Sequence, residues 1–181
     1  FWFGDTDKVT PKCEGGLNEH LGITKPDTSE YYITAKSGAV LYNRGFCDMT
    51  AALSMYLKKD EKYDFSIWAK STDNVAKIKV SLVDEDDALV SDEIVLDGIT
   101  DAWNKFGESK KLVLTAKKTG YAQLRLIFEG EISIDMVSLM PENVWGADEE
   151  STSATAHANY TGNKNYRLRR DLVEAMRDLH P

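Results

Sequence analysis

From Glu131 to Leu139 apolar residues recur at every second position and then change phase, and this pattern constrains the fold more than any other stretch of the chain. Ile132, Ile134 and Met136 alternate with Glu131, Ser133 and Asp135, the period of a strand with one face buried. Val137 and Leu139 then carry the apolar side chains at the odd positions. Either a bulge re-aims the strand there, or its far end is covered on both faces. Pro141 lacks the amide that a ladder needs and ends the strand.

The same alternation recurs upstream. Tyr63, Phe65, Ile67 and Ala69 alternate with Asp64, Ser66, Trp68 and Lys70, and Ala76, Ile78, Val80 and Leu82 alternate with Lys77, Lys79 and Ser81. An acidic hairpin turn at Asp84 to Asp87 leads to Val90, Ile94 and Leu96. Trp103 to Leu114 reads as one strand bulged at Gly107, and Lys117 to Gly120 as a turn. Ala122, Leu124, Leu126 and Phe128 then alternate with Tyr121, Gln123 and Arg125. Earlier, Tyr31 to Ala35 and Ala39 to Tyr42 read as a hairpin across Ser37-Gly38, and Ser54 to Leu57 as a further strand. Residues 1 to 30 carry turn residues and little period, so loops are expected with one short strand near Leu21 to Ile23. Phe1-Trp2-Phe3 reads as a frayed end of a chain cut from a larger one. Short strands at this spacing, with no convincing helix before residue 165, predict an all-β fold: an antiparallel two-sheet β-sandwich, most simply a jelly roll.

Beyond Trp145 the pattern breaks. Residues 146 to 165 are small and polar without period, which predicts a mobile loop. In the helix expected from Leu168 to Leu179, Leu168, Leu172, Val173, Ala175, Met176 and Leu179 form one apolar stripe, with Arg170 and Glu174 on the other face. So short a helix is marginal alone, and its stripe needs a surface. The division expected is a sandwich over 1–142 and a loop and helix over 143–181.

The formal charge of −8 argues against nucleic acid and against an anionic membrane surface as partners. Cys13 and Cys47 make no metal motif and leave two thiols or one disulfide open. The three histidines, His20, His157 and His180, have neither metal nor nucleophile spacing.

KYDFSIWAKS from Lys62, VSLVDED from Val80, DAWNKF from Asp101, IDMVSLMPENVW from Ile134 and LRRDLVEAMRDLHP from Leu168 together resemble the region around the carbohydrate-binding-like insert of glycoside hydrolase family 51 α-L-arabinofuranosidases. The resemblance implies a sandwich inserted in a (β/α)8 barrel, with residues 143–181 leading back into the catalytic barrel of the same polypeptide. Such enzymes hydrolyse with retention through two glutamates, and both would fall in barrel segments outside this sequence. No catalytic residue is therefore expected here. The function implied is a non-catalytic carbohydrate-binding accessory module acting on arabinose-containing plant polysaccharides, with arabinose- or xylose-containing oligosaccharides as ligands. The alternative is a spacer that shapes the enzyme's cleft or its oligomer contacts without affinity for sugar. Extracellular and bacterial cytoplasmic settings are both compatible with the sequence.

The candidate ligand-binding residues lie at polar positions of the strands: Trp68 with Asp64 on one, and Tyr121, Gln123 and Arg125 on another. Aromatic platforms under sugar C–H faces, beside amide, guanidinium or carboxylate groups that orient hydroxyls, are the usual means of holding a saccharide. Trp68 is equally explained as a ring capped by a loop or by the Phe1-Trp2-Phe3 end. Trp103 reads as core and Trp145 as a junction residue. By resemblance to a related module, Asp135 is a candidate ligand of a structural calcium, which takes six or more oxygens. No other cofactor is expected. The purified chain should not turn over a chromogenic arabinofuranoside above a buffer blank; measurable turnover would place a glycosidase site within these residues.

Overall fold

The computed structural model describes residues 2–22, 31–45, 55–145 and 168–179. In chain order the strands are β1 (Trp2–Gly4), β2 (Val9–Lys12), β3 (Tyr32–Ala35), β4 (Val40–Asn43), β5 (Met55–Leu57), β6 (Lys62–Lys70) and β7 (Lys77–Val83). They continue with β8 (Leu89–Leu96), β9 (Asn104–Phe106), β10 (Leu112–Thr115), β11 (Gly120–Glu129), β12 (Ile132–Pro141), β13 (Val144–Trp145) and β14 (Leu168–Arg169). A one-turn helix α1 (Leu17–His20) lies between β2 and β3, and α2 (Arg170–Asp178) follows β14. No described helix is long and apolar enough to cross a membrane.

One sheet, A, runs β1-β4-β11-β7-β8 with β5 also on β11, and the other, B, runs β10-β6-β12-β3-β2 with β9 also on β6. The described pairings are antiparallel, which makes the fold the expected all-β sandwich. The alternating residues explain it. Phe65, Ile67 and Ala69 of β6, Ile78, Val80 and Leu82 of β7, Leu124, Leu126 and Phe128 of β11, and Ile132 and Ile134 of β12 are buried in one core between the sheets. Their polar neighbours point outward on each sheet, because successive side chains on a strand take opposite faces.

The phase change in β12 is a bulge. Asp135 pairs with Trp68 and Ser138 with Ser66, so Met136 and Val137 together oppose Ile67. Met136 takes a left-handed φ of 48° and is exposed, which lets Val137 and Leu139 turn back onto the core. The last pair of the strand is Pro141 with Tyr63.

Three expectations are corrected. The Tyr31–Ala35 and Ala39–Tyr42 strands exist, but they do not form a hairpin: β3 pairs with β2 and β12 in sheet B, and β4 with β1 and β11 in sheet A. The turn between them, closed by the Ala39 amide on the Lys36 carbonyl at 3.1 Å, carries the chain from one sheet to the other. The Trp103–Leu114 strand is interrupted rather than bulged, giving β9 and β10 on the same side of β6. Gly107 at the break has φ of 92°, and a Cβ there would collide with the Phe65 carbonyl. Finally, residues 2 to 22 are not mainly loop. Trp2–Gly4 pairs with β4, Val9–Lys12 pairs with β3, and Leu21 and Gly22 form a turn after α1 rather than a strand.

The expected loop over 146–165 lies outside the described residues. Leu168 and Arg169, expected to open the helix, instead pair as β14 with Val144 and Trp145. In α2, Val173 is half-buried, while Met176 and Leu179 are 64% and 79% exposed, so this end of the apolar stripe has no cover. A nine-residue helix with an uncovered stripe gains little from packing. Hydrogen exchange followed by mass spectrometry should therefore find α2 amides exchanging well before those of β7 and β11. Equal protection in a monomer would mean that the stripe is buried.

Candidate functional site

The two sheets present two outer faces that look in opposite directions, and the candidate residues divide between them. Trp68 and Asp64 stand on the outer face of sheet B, four residues apart on β6 and so about 13 Å apart along the strand. Tyr121, Gln123 and Arg125 stand on the outer face of sheet A along β11. The structure therefore keeps the Trp68 pair and the Tyr121 row on opposite sides of the core.

On sheet B the outer face is covered. Leu17 of α1, Tyr32 and Trp103 form a second buried cluster, and Trp68 packs against it half-buried. The His20 ring meets Trp68 edge-on at 6.0 Å, and Tyr32 meets Trp103 edge-on at 5.3 Å. The Trp103 indole N–H donates to the Gly15 carbonyl at 3.0 Å, and the Tyr32 hydroxyl to the Glu14 carbonyl at 2.9 Å, which fastens the 13–20 segment over the rings. Lys70 completes the cover: its ammonium lies 4.8 Å from the Trp103 ring centroid and 5.1 Å from that of Tyr32, and donates to the Gly15 carbonyl. Burial lowers its pKa, opposed by the Glu19 charge. Asp64 lies beyond this cover and pairs with Lys111 at 3.6 Å. Trp103 is buried as expected, but in this outer cluster rather than between the sheets.

On sheet A the outer face carries an open aromatic pair beside an ordered polar row. Tyr121 and Tyr56, opposite each other on β11 and β5, are 60% and 55% exposed and meet edge-on with centroids 5.3 Å apart. Two residues along β11, Gln123 is buried; its carbonyl accepts from Arg44 Nε at 3.1 Å and its amide donates to the Asp84 carbonyl at 3.4 Å. The Arg44 guanidinium lies over the Phe3 ring at 4.4 Å. Two residues further, Arg125 donates from Nε to Ser81 Oγ at 3.2 Å and from Nη1 to Asp87 at 3.1 Å, with Glu93 3.8 Å from Nη2. Tyr42 pairs with Arg125 across the strands; burial raises its hydroxyl pKa, and the Asp87 charge and hydrogen bond add to that while Arg125 opposes it. At the turn, the hydrogen bond from Lys118 is the main reason the Asp84 carboxyl titrates below its usual range.

Of the candidates, Tyr121, Gln123 and Arg125 are thus brought into one row. Sequence reasoning missed Tyr56, Phe3, Tyr42 and Arg44, which complete it. For Tyr42 and Tyr56 the available signal was strand parity: each stands opposite a polar-face residue of β11.

Asp135 lies on sheet B, paired with Trp68 and beside the β12 bulge, where its Oδ1 accepts the Met136 N–H at 2.7 Å. Burial raises its carboxyl pKa, and the Met136 hydrogen bond opposes this in part. Among the described residues no three His, Cys, Asp or Glu side chains converge on a position that could hold a metal ion. Cys13 is an exposed free thiol.

No protein-family model matches the chain, and no curated protein matches it. Solved structures similar to it include the first family 22 carbohydrate-binding module, with the family 10 catalytic module, of a Clostridium thermocellum endo-1,4-β-D-xylanase complexed with xylohexaose. That match has 15% identity and a TM-score of 0.49, and covers 80% of this chain and 27% of that one. The C-terminal family 6 carbohydrate-binding module of a Zobellia galactanivorans laminarinase matches at 12% identity and a TM-score of 0.47, covering 77% of this chain and 90% of that one. The enzymatically active domain of a bacteriophage CBA120 tailspike protein matches at 14% identity and a TM-score of 0.46, covering 74% of this chain and 17% of that one. The likenesses are shallow and the sandwich assignment stands on the strand pairing itself; none of them points to a family 51 arabinofuranosidase in particular.

The cover over Trp68 has a measurable consequence. Trp68→Ala removes a half-buried ring that anchors α1, so it should lower unfolding stability by about 2 kcal/mol, below the ~3–5 kcal/mol of a fully buried aromatic. Chemical denaturation would read it. An unchanged midpoint would mean that Trp68 packs against nothing and is available as a platform.

Proposed function

We propose that this chain is a non-catalytic carbohydrate-binding module whose glycan-binding face is the outer surface of sheet A. The observation that carries the reading is the exposed Tyr56–Tyr121 pair standing beside the Gln123, Arg44 and Arg125 row. A sugar ring stacks its C–H face on the tyrosines, and its hydroxyls, or those of the next ring, meet guanidinium groups that Gln123, Ser81 and Asp87 already hold in place. Arg125 is compensated by Asp87 and Glu93, so the face suits a neutral glycan better than an acidic one. Arabinose- or xylose-containing oligosaccharides are the proposed ligands, and an α-L-arabinofuranosidase acting on plant polysaccharides the proposed parent, on the sequence resemblance given above. A structural spacer is the second reading, and the uncovered stripe at Met176 and Leu179 favours it, because an apolar helix face implies a neighbouring surface.

Because few polar groups and one aromatic pair supply the contact, affinity should be weak, with Kd on the order of 10 µM to 1 mM, about −7 to −4 kcal/mol. In calorimetric titration with xylo- and arabino-oligosaccharides, Tyr121→Ala should weaken binding about tenfold or more while leaving the melting transition nearly unchanged, since the ring is exposed. Absence of binding by the unaltered chain at millimolar ligand would leave the spacer reading.

A further inference from the structure

The open edge of the sandwich holds a second cavity of about 360 Å³, separate from the Tyr121 face. It draws on both sheets: Trp2, Leu41 and Asn43 come from β1 and β4 of sheet A, and Val9, Tyr32, Ile33, Ile134 and Asp135 from β2, β3 and β12 of sheet B. Trp2 pairs with Asn43, which shares the strand parity of the buried Leu41, so the indole belongs to the inner side of the edge and not to the outer face. Tyr31, just before β3, is exposed on the lining, and Tyr32 adds to it.

A carboxylate stands on this lining beside the β12 bulge. Met136 adopts φ of 48°, a region costly for a side chain of its kind, and it does so where the register shifts. Bulges commonly re-aim a side chain beside a binding site, and a left-handed non-glycine residue is kept where the surroundings require it. Asp135, the last residue in register before the shift and paired with Trp68, lies on the cavity lining with Oδ1 held by the Met136 amide. Among the described residues the lining contains no Lys, Arg or His. Burial disfavours the ionised form of Asp135, and no basic side chain of the lining repays it. A phosphate, sulfate or uronate would meet this carboxylate at a loss. A neutral polyol would not, because a carboxylate accepts hydrogen bonds from two vicinal hydroxyls while an aromatic ring takes the C–H face.

We propose that this edge cavity is a second saccharide site, taking one terminal ring of a neutral glycan against Trp2 and Tyr31, with Asp135 and Asn43 engaging its hydroxyls. The choice of a sugar rests on the carbohydrate-binding reading of the chain, but the site shares no residue with the Tyr121 face. A cavity of this size fits one ring at the end of a chain, whereas the row along sheet A fits an internal stretch.

The test is a titration of the chain followed by amide chemical shifts, using D-xylose, L-arabinose and xylotetraose as probes. The expected result is two sets of shifts: one at Trp2, Tyr31 and Met136, seen with monosaccharides and tetrasaccharide alike, and one around Tyr121, seen with the tetrasaccharide. Asp135→Asn, which keeps an acceptor for the Met136 amide, and Trp2→Ala should each weaken the first set about tenfold or more and leave the second unchanged. Tyr121→Ala should do the reverse. Shifts confined to the Tyr121 face would overturn the edge site and leave the proposed function standing. Shifts confined to the edge would overturn the sheet A face and leave this site standing. Response of the edge amides to tetramethylammonium but to none of the sugars would overturn the saccharide assignment, as would no response there to any probe.

Discussion

Everything in this molecule depends on two sheets burying one face each against the other. Leu126 of β11 pairs with Val80 on one side and Leu41 on the other, all three buried, and they close on Ile67 and Ile134 of the opposite sheet through a single core. The apolar area removed from water is the main stabilising term, and it acts on every second residue of every long strand. The remaining residues are then forced outward on two faces that look away from each other. A site on one outer face therefore draws on one sheet only. Only at an open edge, as between β1 and β2, can both sheets supply residues to the same cavity.

The two outer faces are put to different uses. On sheet B the rings of Trp68, Trp103 and Tyr32 are roofed by the segment carrying α1, with Lys70 and the Gly15 carbonyl at the centre of the fastening. That layer is a small second core. On sheet A the tyrosine pair stays open, and the polar side chains beside it are tied to one another rather than to a covering segment. Polar groups already ordered lose little further freedom when a ligand arrives, which is a reason to propose this face as a weakly binding surface.

The strands were legible in the sequence because burial alternates along them, and the period survives whatever the strands pair with. For the same reason pairing was not legible. Tyr32–Ala35 and Val40–Asn43 look like two arms of a hairpin, yet a tight turn serves equally well to pass from sheet to sheet. The bulge could be read, since Val137 and Leu139 break the phase, and the structure chooses it over double cover by turning Met136 outward. Trp68 shows the limit for sites. Its parity places it on an outer face, but its cover comes from a single helical turn, Leu17–His20, too short to leave a period in the sequence. The row on β11 was legible as a row, whereas Phe3, Tyr42, Arg44 and Tyr56 join it through contacts between residues far apart in sequence.

Charge gives a further reason to propose neutral ligands for the sheet A face. Arg125 is largely buried between Asp87 and Glu93, and removing it from water without those carboxylates would carry a desolvation cost that its hydrogen bond to Ser81 alone does not offset. The guanidinium is thus already satisfied as a charge, and its remaining use is geometric. Arg44 is held over the Phe3 ring and donates to Gln123. In a chain with formal charge −8, a face whose Arg125 is balanced by two carboxylates offers an anion little net attraction. What it does offer is a pair of rings and fixed polar groups at the spacing of alternate strand residues, and a neutral chain of hydroxylated rings can use both.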